Sequence, residues 1–299
     1  MKKINVLSLF DGISCGQVAL ERVGIEAENY YASEIDKYAI QITQNNYPNT
    51  IQLGDINNWQ EWGIDFSKID LIIGGSPCQG FSIAGKKLNF EDKRSKLFFK
   101  YLEILNFAKS KNPKVKFLLE NVKMKFEIAE IIDKELGINH IYINSRYFTG
   151  MIRKRFYWFN WEMQDYKKQD IKIKDFIEDL PYTKNLNELF TKTVYNPSTS
   201  TDGIMTLNPR KTNGEQTWQR GRVYDINGYC PTIQASMFEI TISKDHKMAR
   251  SLTINELEKL QGLPKNYTEG IPKAKRGQVL GNGWTTDVIT HILKGLKYN

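Results

Sequence analysis

The chain has 299 residues, 40% hydrophobic and 25% charged, enough for about two domains with a buried core; this excludes a short peptide, a fibre and a mostly disordered tail. Lys plus Arg 42 against Asp plus Glu 34 gives a net charge of +8, a balance that suits a polyanionic partner. The longest apolar runs, such as Leu71 to Ile73 and Phe117 to Leu119, fall far short of the roughly 20 residues needed to cross a bilayer, so no membrane association is expected. Lys2 and Lys3 open like an export signal, but Asn5, Ser8 and Asp11 interrupt the apolar run, and the expected location is the cytoplasm.

In chain order, Ile4 to Phe10 reads as a buried strand, Gly16 to Val23 as a helix, Glu28 to Ser33 as a strand and Asp36 to Asn45 as a helix. Asp70 to Ile73 and Lys116 to Leu119 are further strands, with a helix over Lys96 to Ala108 between them. Alternating strands and helices predict an α/β fold: a mostly parallel, doubly wound sheet with helices on both faces. From about Trp161 to Arg250 the pattern turns irregular, with loop-forming stretches after Asn196 and Asn208 and short strand-like pieces at Arg222 to Tyr224 and Thr232 to Gln234. Two helices follow, Ile254 to Gln261 behind the cap Thr253 and Thr286 to Lys297. The expected division is 1–160 for a first domain, 161–250 for a second, smaller and irregular one, and 251–299 for helices returning to the first.

Cys15, Cys78 and Cys230 are odd in number and form no C-x-x-C pair, and His140, His246 and His291 show no metal-ligand spacing. A disulfide framework and a zinc site are therefore not expected, which leaves carboxylates, arginines and one thiol as the chemical toolkit. The first strand runs into Phe10-Asp-Gly-Ile-Ser-Cys-Gly16, where Gly12 and Gly16 let the backbone approach a ligand at the carboxyl edge of the sheet. Glu34, ending the second strand, is placed to hold a ribose through its hydroxyls, and Asp55 follows the third strand. Cys78, after Pro77 in Gly74-Gly-Ser-Pro-Cys-Gln-Gly-Phe-Ser82, is a candidate nucleophile at a strand edge, flanked by the basic run from Lys86 to Lys100. Glu120 in Leu119-Glu-Asn-Val122 ends another strand on the same edge.

This ordered set, from Phe10-x-Gly through Glu34, Gly54-Asp55-Ile56, Pro77-Cys78-Gln79, Glu120-Asn121-Val122 and Arg153-x-Arg155 to Gly281-Asn282, closely resembles the DNA (cytosine-5) methyltransferases over all but the variable middle. The resemblance implies a Rossmann-like S-adenosyl-L-methionine-dependent methyltransferase fold with a target-recognition domain over 161–250. It implies a DNA (cytosine-5-)-methyltransferase that flips a cytosine out of duplex DNA. By resemblance Cys78 attacks carbon 6, Glu120 engages N3 and the exocyclic amine, Arg155 holds the flipped base, and Arg153 orients beside it. Phe10, Gly12, Glu34, Ile35, Asp55, Ile56, Pro77, Leu97 and Asn282 line the cofactor site. Phe81 to Lys96 becomes a closing loop whose Lys86, Lys87 and Arg94 meet phosphates, and Arg210, Lys211, Arg220 and Arg222 are available for phosphates or guanine edges. The chain departs from the family pattern at Ser14 and Cys15, at Ile35, at Met151 where a Gln is usual, and at Trp284. The expected partner is duplex DNA, met as a monomer, with any cognate restriction endonuclease acting separately. A transfer-RNA methyltransferase and a catalytically silent DNA-binding regulator are the alternatives.

Overall fold

The computed structural model describes residues 3–76, 96–190, 192–236 and 238–298. The chain divides into two compact units, one of Met1–Ile143, Lys154–Asp165 and Val288–Asn299, the other of Asn144–Arg153 and Tyr166–Asp287.

The first unit is built on β1 (Ile4–Leu9), α1 (Cys15–Arg22), β2 (Ala27–Ser33), α2 (Lys37–Asn46), β3 (Ile51–Gln52), β4 (Leu71–Gly74), α3 (Lys96–Lys111), β5 (Lys116–Val122), α4 (Phe126–Leu136), β6 (Ile141–Asn144) and, after α5 (Arg146–Thr149) of the second unit, β7 (Lys154–Phe159). The strands form one seven-stranded sheet in the order β3-β2-β1-β4-β5-β7-β6. β1 lies inside the sheet, and its Ile4, Val6, Leu7 and Leu9 are fully buried, as expected of a strand covered on both faces. α3 buries Phe98, Tyr101, Leu102, Ile104, Leu105 and Ala108, a stripe at helical spacing that packs into the main core with Leu7, Leu9, Ile72 and Phe117. Its approach depends on Gly74, where a Cβ would stand 2.9 Å from the Leu9 carbonyl oxygen and 3.0 Å from the Tyr101 ring. Asp36 starts α2 by accepting from the Tyr38 and Ala39 amides.

The register brings the carboxyl ends of four parallel strands level. Leu9 pairs with Ser33 and with Gly74, and Gly74 pairs with Leu119. Phe10, Glu34 and Glu120 therefore stand one residue past a common row. At about 4.8 Å per strand, Glu34 and Glu120 are roughly 14 Å apart along that edge. β7 runs antiparallel to β5, pairing Glu120 with Tyr157 and Val122 with Arg155.

The second unit holds β8 (Lys184–Asn185), α6 (Leu186–Leu189), β9 (Thr193–Val194), β10 (Ser198–Thr199), β11 (Met205–Thr206), β12 (Arg210–Lys211), β13 (Val223–Asp225), β14 (Thr241–Ser243), β15 (Met248–Ser251), α7 (Ile254–Leu260) and α8 (Lys273–Asn282). Six of these strands form a sheet in the order β10-β11-β13-β14-β15-β8, and β12 and β9 form a separate two-stranded sheet. Leu186, Leu207, Val223 and Ala249 form a small core beneath them. α9 (Thr286–Leu293) closes the chain, and within the first unit Trp161 Nε1 donates to the Ile292 carbonyl at 2.9 Å.

Three differences from the sequence reading stand out. Thr232–Gln234 forms only a single bridge at Gln234 and no strand, and side chains take up backbone groups before it: Gln219 Nε2 donates to the Thr232 carbonyl at 2.9 Å and the Ile233 amide donates to Met151 Sδ at 3.5 Å. α8 was not expected; its Gly277 and Gly281 carry low helix propensity, and each sits where a Cβ would collide, with the Phe238 ring and with the Gln234–Ala235 backbone respectively. α9 stops at Leu293 rather than reaching Lys297.

Candidate active site

Two clusters of sequence-selected residues lie on the carboxyl edge of the first unit's sheet. The first is the loop after β1 with the end of β2. Phe10, Gly12 and Ser14 all take left-handed backbone conformations, with φ of 58°, 60° and 55°. The Gly12 amide donates to Glu34 Oε2 at 2.8 Å, while Glu34 Oε1 accepts from the amides of Ile35 at 2.7 Å and Asp36 at 2.8 Å. Three backbone donors thus fix the carboxylate before any ligand arrives. A Cβ at Gly12 would meet nothing within 4 Å, so the loop borders open space, and Ile35 beside it is 74% exposed.

Asp55 caps the short 3-10 turn Ile56–Glu61, accepting from the Asn57 amide and Asn57 Nδ2, both at 2.9 Å. Ile56 is buried in the main core, and Phe10 and Leu97 pack against the same core half-buried. Asp11, adjacent to two sequence-selected residues but itself passed over, accepts from the hydroxyls of Tyr30, at 2.8 Å, and Ser14.

The second cluster is Glu120 with Arg155. Glu120 is buried on β5, Arg155 reaches it from β7, and Arg155 Nε donates to Glu120 Oε1 at 2.7 Å. Arg155 Nη1 also donates to the Lys154 carbonyl at 2.9 Å, which fixes the guanidinium plane. Asn121, quoted in the motif but given no role by it, donates through Nδ2 to the Ser76 carbonyl at 3.3 Å and to Ser76 Oγ at 3.0 Å. It ties the end of β5 to the residue preceding Pro77. Pro77 and Cys78, the proposed closing loop from Phe81, and Lys86, Lys87 and Arg94 lie outside the described residues.

Arg153 and Asn282 belong to the second unit. Arg153 is buried, and its guanidinium donates to the carbonyls of Gly281 at 3.3 Å, Gly283 at 2.8 Å and Ile233 at 3.5 Å. Gln261 Nε2 supports the same turn through the carbonyls of Leu280 and of Gly283, the latter at 3.3 Å. The carbonyls on either side of the exposed Asn282 are therefore both held. The basic residues chosen in this unit differ in setting. Arg210 and Arg220 are exposed, Lys211 pairs with Glu215 at 2.8 Å, and the half-buried Arg222 donates through Nε to the Thr217 carbonyl at 2.7 Å.

A largely parallel α/β sheet with a glycine loop, an amide-held acid and a buried Glu–Arg pair along the carboxyl edge of its strands has the arrangement in which open α/β sheets place ligands. A profile described as C-5 cytosine-specific DNA methylase matches residues 4–127 and 144–298, and the chain belongs to that family. The orphan methyltransferase M.Rho11sI of Bacillus phage rho11s is 44% identical over 128 residues, covering 41% of this chain and 24% of that protein. The chain thus spans about a quarter of the length of that phage relative. The type II methyltransferase M1.ScrFI of Lactococcus lactis subsp. cremoris is 28% identical over 311 residues, covering 97% of this chain and 77% of that protein. Among solved structures, S. pombe Dnmt2 methyltransferase aligns with a TM-score of 0.68 and 18% identity over 98% of each chain, a likeness of fold.

Proposed function

We propose that the chain transfers a methyl group from S-adenosyl-L-methionine to carbon 5 of cytosine in a specific duplex DNA sequence. The observation that carries the reading is the Glu120–Arg155 pair, buried at the carboxyl end of β5 and level with the Glu34 loop. The residues of that loop fit the cofactor. Glu34, pinned by three amides, keeps acceptor lone pairs for a ribose diol; Gly12 leaves room for close backbone approach; Asp55 offers an acceptor to an adenine amine; Phe10, Ile35 and Ile56 supply apolar surface. Asn282, with Pro77 and Leu97, completes the proposed set. When bound, the cofactor supplies an electrophilic methyl group.

Carbon 5 of cytosine is a weak nucleophile. In the proposed reaction the Cys78 thiolate adds to carbon 6, while Glu120 engages N3 and the exocyclic amine, so electron density builds at carbon 5, where a methyl group would be accepted as the sulfonium S–CH3 bond breaks and leaves a neutral thioether. A base then removes the carbon-5 proton and Cys78 is eliminated. Arg155 does two things: it orients Glu120 and offers guanidinium donors to the flipped base. Arg153 acts as a positioning residue through the Gly281–Gly283 carbonyls.

The test is transfer of labelled methyl from the cofactor to duplex DNA and, side by side, to transfer RNA. The expected result is cytosine labelling in DNA, lost in Cys78→Ser while cofactor binding persists, and reduced about 10²–10⁴-fold in Glu120→Gln. Labelling of RNA alone, or of neither substrate across salt and sequence, overturns the proposal.

A further inference from the structure

A second cluster of titratable side chains lies within the second unit, beside the β9–β12 pair. Asp225, at the end of β13, is buried, and its Oδ2 lies 2.5 Å from Nε2 of His246 in the β14–β15 turn. Asp225 Oδ1 accepts from the amide of Asn227 at 2.8 Å and from its Nδ2 at 3.0 Å, which fixes the carboxylate. His246 has a left-handed backbone, φ 56°, and its amide donates to Ser243 Oγ at 3.1 Å. The other ring nitrogen, Nδ1, lies 3.1 Å from the hydroxyl of Tyr195, the residue following β9. The charged and titratable neighbours of the ring are Asp225 and Tyr195, with Lys244, Asp245 and Lys247 in its own turn.

The chain of contacts sets hydrogen-bond roles. With the ring neutral, Nε2 carries the proton toward the Asp225 carboxylate and Nδ1 presents a lone pair. The Tyr195 O–H then donates inward to Nδ1. Its phenol oxygen is left facing outward as an acceptor.

Tyr195 is 49% exposed and Val194 beside it 46%. β9 pairs antiparallel with β12, which sets Val194 opposite Arg210 and Thr193 opposite Lys211. This is a two-stranded ribbon with exposed apolar and aromatic groups beside cations, an element that fits the major groove of B-DNA. A free tyrosine hydroxyl rotates to donate or accept, but one whose proton is held by a neutral histidine can only accept from a base. Resting on the DNA methyltransferase reading, we propose that Tyr195, positioned by Asp225 and His246, is a specificity-determining residue that accepts a hydrogen bond from an exocyclic amine, adenine N6 or cytosine N4, in the target sequence.

The experiment measures methyl transfer to a library of duplexes randomised around the modified cytosine, with Tyr195→Phe and His246→Gln beside the unaltered protein. The unaltered protein should favour an amine-bearing base at one position by about tenfold, the scale of one base-edge hydrogen bond. Replacing that base with an analogue lacking the amine, purine for adenine or 2-pyrimidinone for cytosine, should cost it about the same. Tyr195→Phe should lose the preference and become indifferent to the analogue. His246→Gln should weaken the preference and raise KM for DNA more than it lowers kcat.

An unchanged base preference in Tyr195→Phe, or no penalty for the analogue in the unaltered protein, overturns the assignment. Should Tyr195→Phe fail to fold, His246→Gln decides, an unchanged base preference in it overturning the assignment. If the unaltered protein methylates no member of the library, the function proposed above fails and this inference falls with it. Sequence-specific methylation that ignores Tyr195 sinks the inference alone.

Discussion

Asp11 is held in the middle of a contorted loop. Left-handed backbone at a non-glycine residue costs about 1–2 kcal/mol, and Phe10 and Ser14 both adopt it. The Asp11 amide donates to the Ser33 carbonyl at 3.1 Å, and its carboxylate collects the hydroxyls of Tyr30 and Ser14, so this side chain stitches the loop to β2 and to the start of α1. Burial pushes its carboxyl up from 3.8 to about 6; donation by Ser14, Ser8 and Tyr30 offsets part of that, and the charge of Glu34 adds to it. The native state therefore holds this proton more tightly than the unfolded chain. Stability from this group is complete below the ordinary carboxylate value and is lost as pH rises from about 4 to about 6, a change of up to about 3 kcal/mol. Asp11→Asn should accordingly melt several degrees higher than the unaltered protein at pH 7.5, and the difference should vanish by pH 4. Melting curves across that range check it, and a difference independent of pH would contradict the burial argument.

At the scale of elements, α7 shows how the second unit is fastened. Thr253 and Glu256 form a capping box, the Thr253 hydroxyl accepting from the Glu256 amide at 3.1 Å and Glu256 Oε2 accepting from the Thr253 amide at 2.7 Å. The same carboxylate makes a two-pronged pair with Arg250 on β15, at 2.8 and 2.6 Å, and accepts from the Glu178 amide at 2.8 Å. Burial works to raise its pKa, but Arg250 and the two amides outweigh it and hold the carboxyl below the usual range. Its contribution is present at neutral pH and is lost as pH falls below about 4.5. Glu256→Gln leaves Arg250 buried without its counter-charge and should cost about 3–5 kcal/mol at pH 7, read from denaturant unfolding, with a smaller cost in acid.

The cap Thr253 was legible because a capping box is local. So were β1, β2, β4 and β5, whose apolar runs and following motifs predict a strand edge and therefore a site there. The ladders of the second unit were not, because strands of two to four residues carry almost no periodic signal and pair across distance, as Val194 does with Arg210. The hold of Arg153 on Gly281 and Gly283, and of His246 on Tyr195, joins residues that no spacing rule connects.

For the whole molecule the excess of cations matters through where they are free to act. Duplex binding by a basic protein releases counterions, so the logarithm of affinity falls linearly with the logarithm of salt, by about 0.9 for each phosphate neutralised. Among the basic residues of the second unit, Arg220 meets Glu239 only at 3.7 Å, with both side chains well exposed, and such a pair is worth little in water. Arg210 is exposed and touches the Gly214 carbonyl at 2.9 Å, an arrangement that a phosphate oxygen can displace. Arg222 instead ties β13 to the Thr217 carbonyl through Nε. Substituting glutamine should separate these roles. Arg220→Gln and Arg210→Gln should each flatten the salt slope of duplex binding by about one, weakening all sequences alike and leaving the melting temperature in place. Arg222→Gln should lower the melting temperature with a slope change well below one. Fluorescence anisotropy titrations from 50 to 300 mM salt, paired with thermal melts, measure both quantities on the same samples. Slopes unchanged from that of the unaltered protein in all three variants would contradict the assignment of phosphate contacts to Arg210 and Arg220.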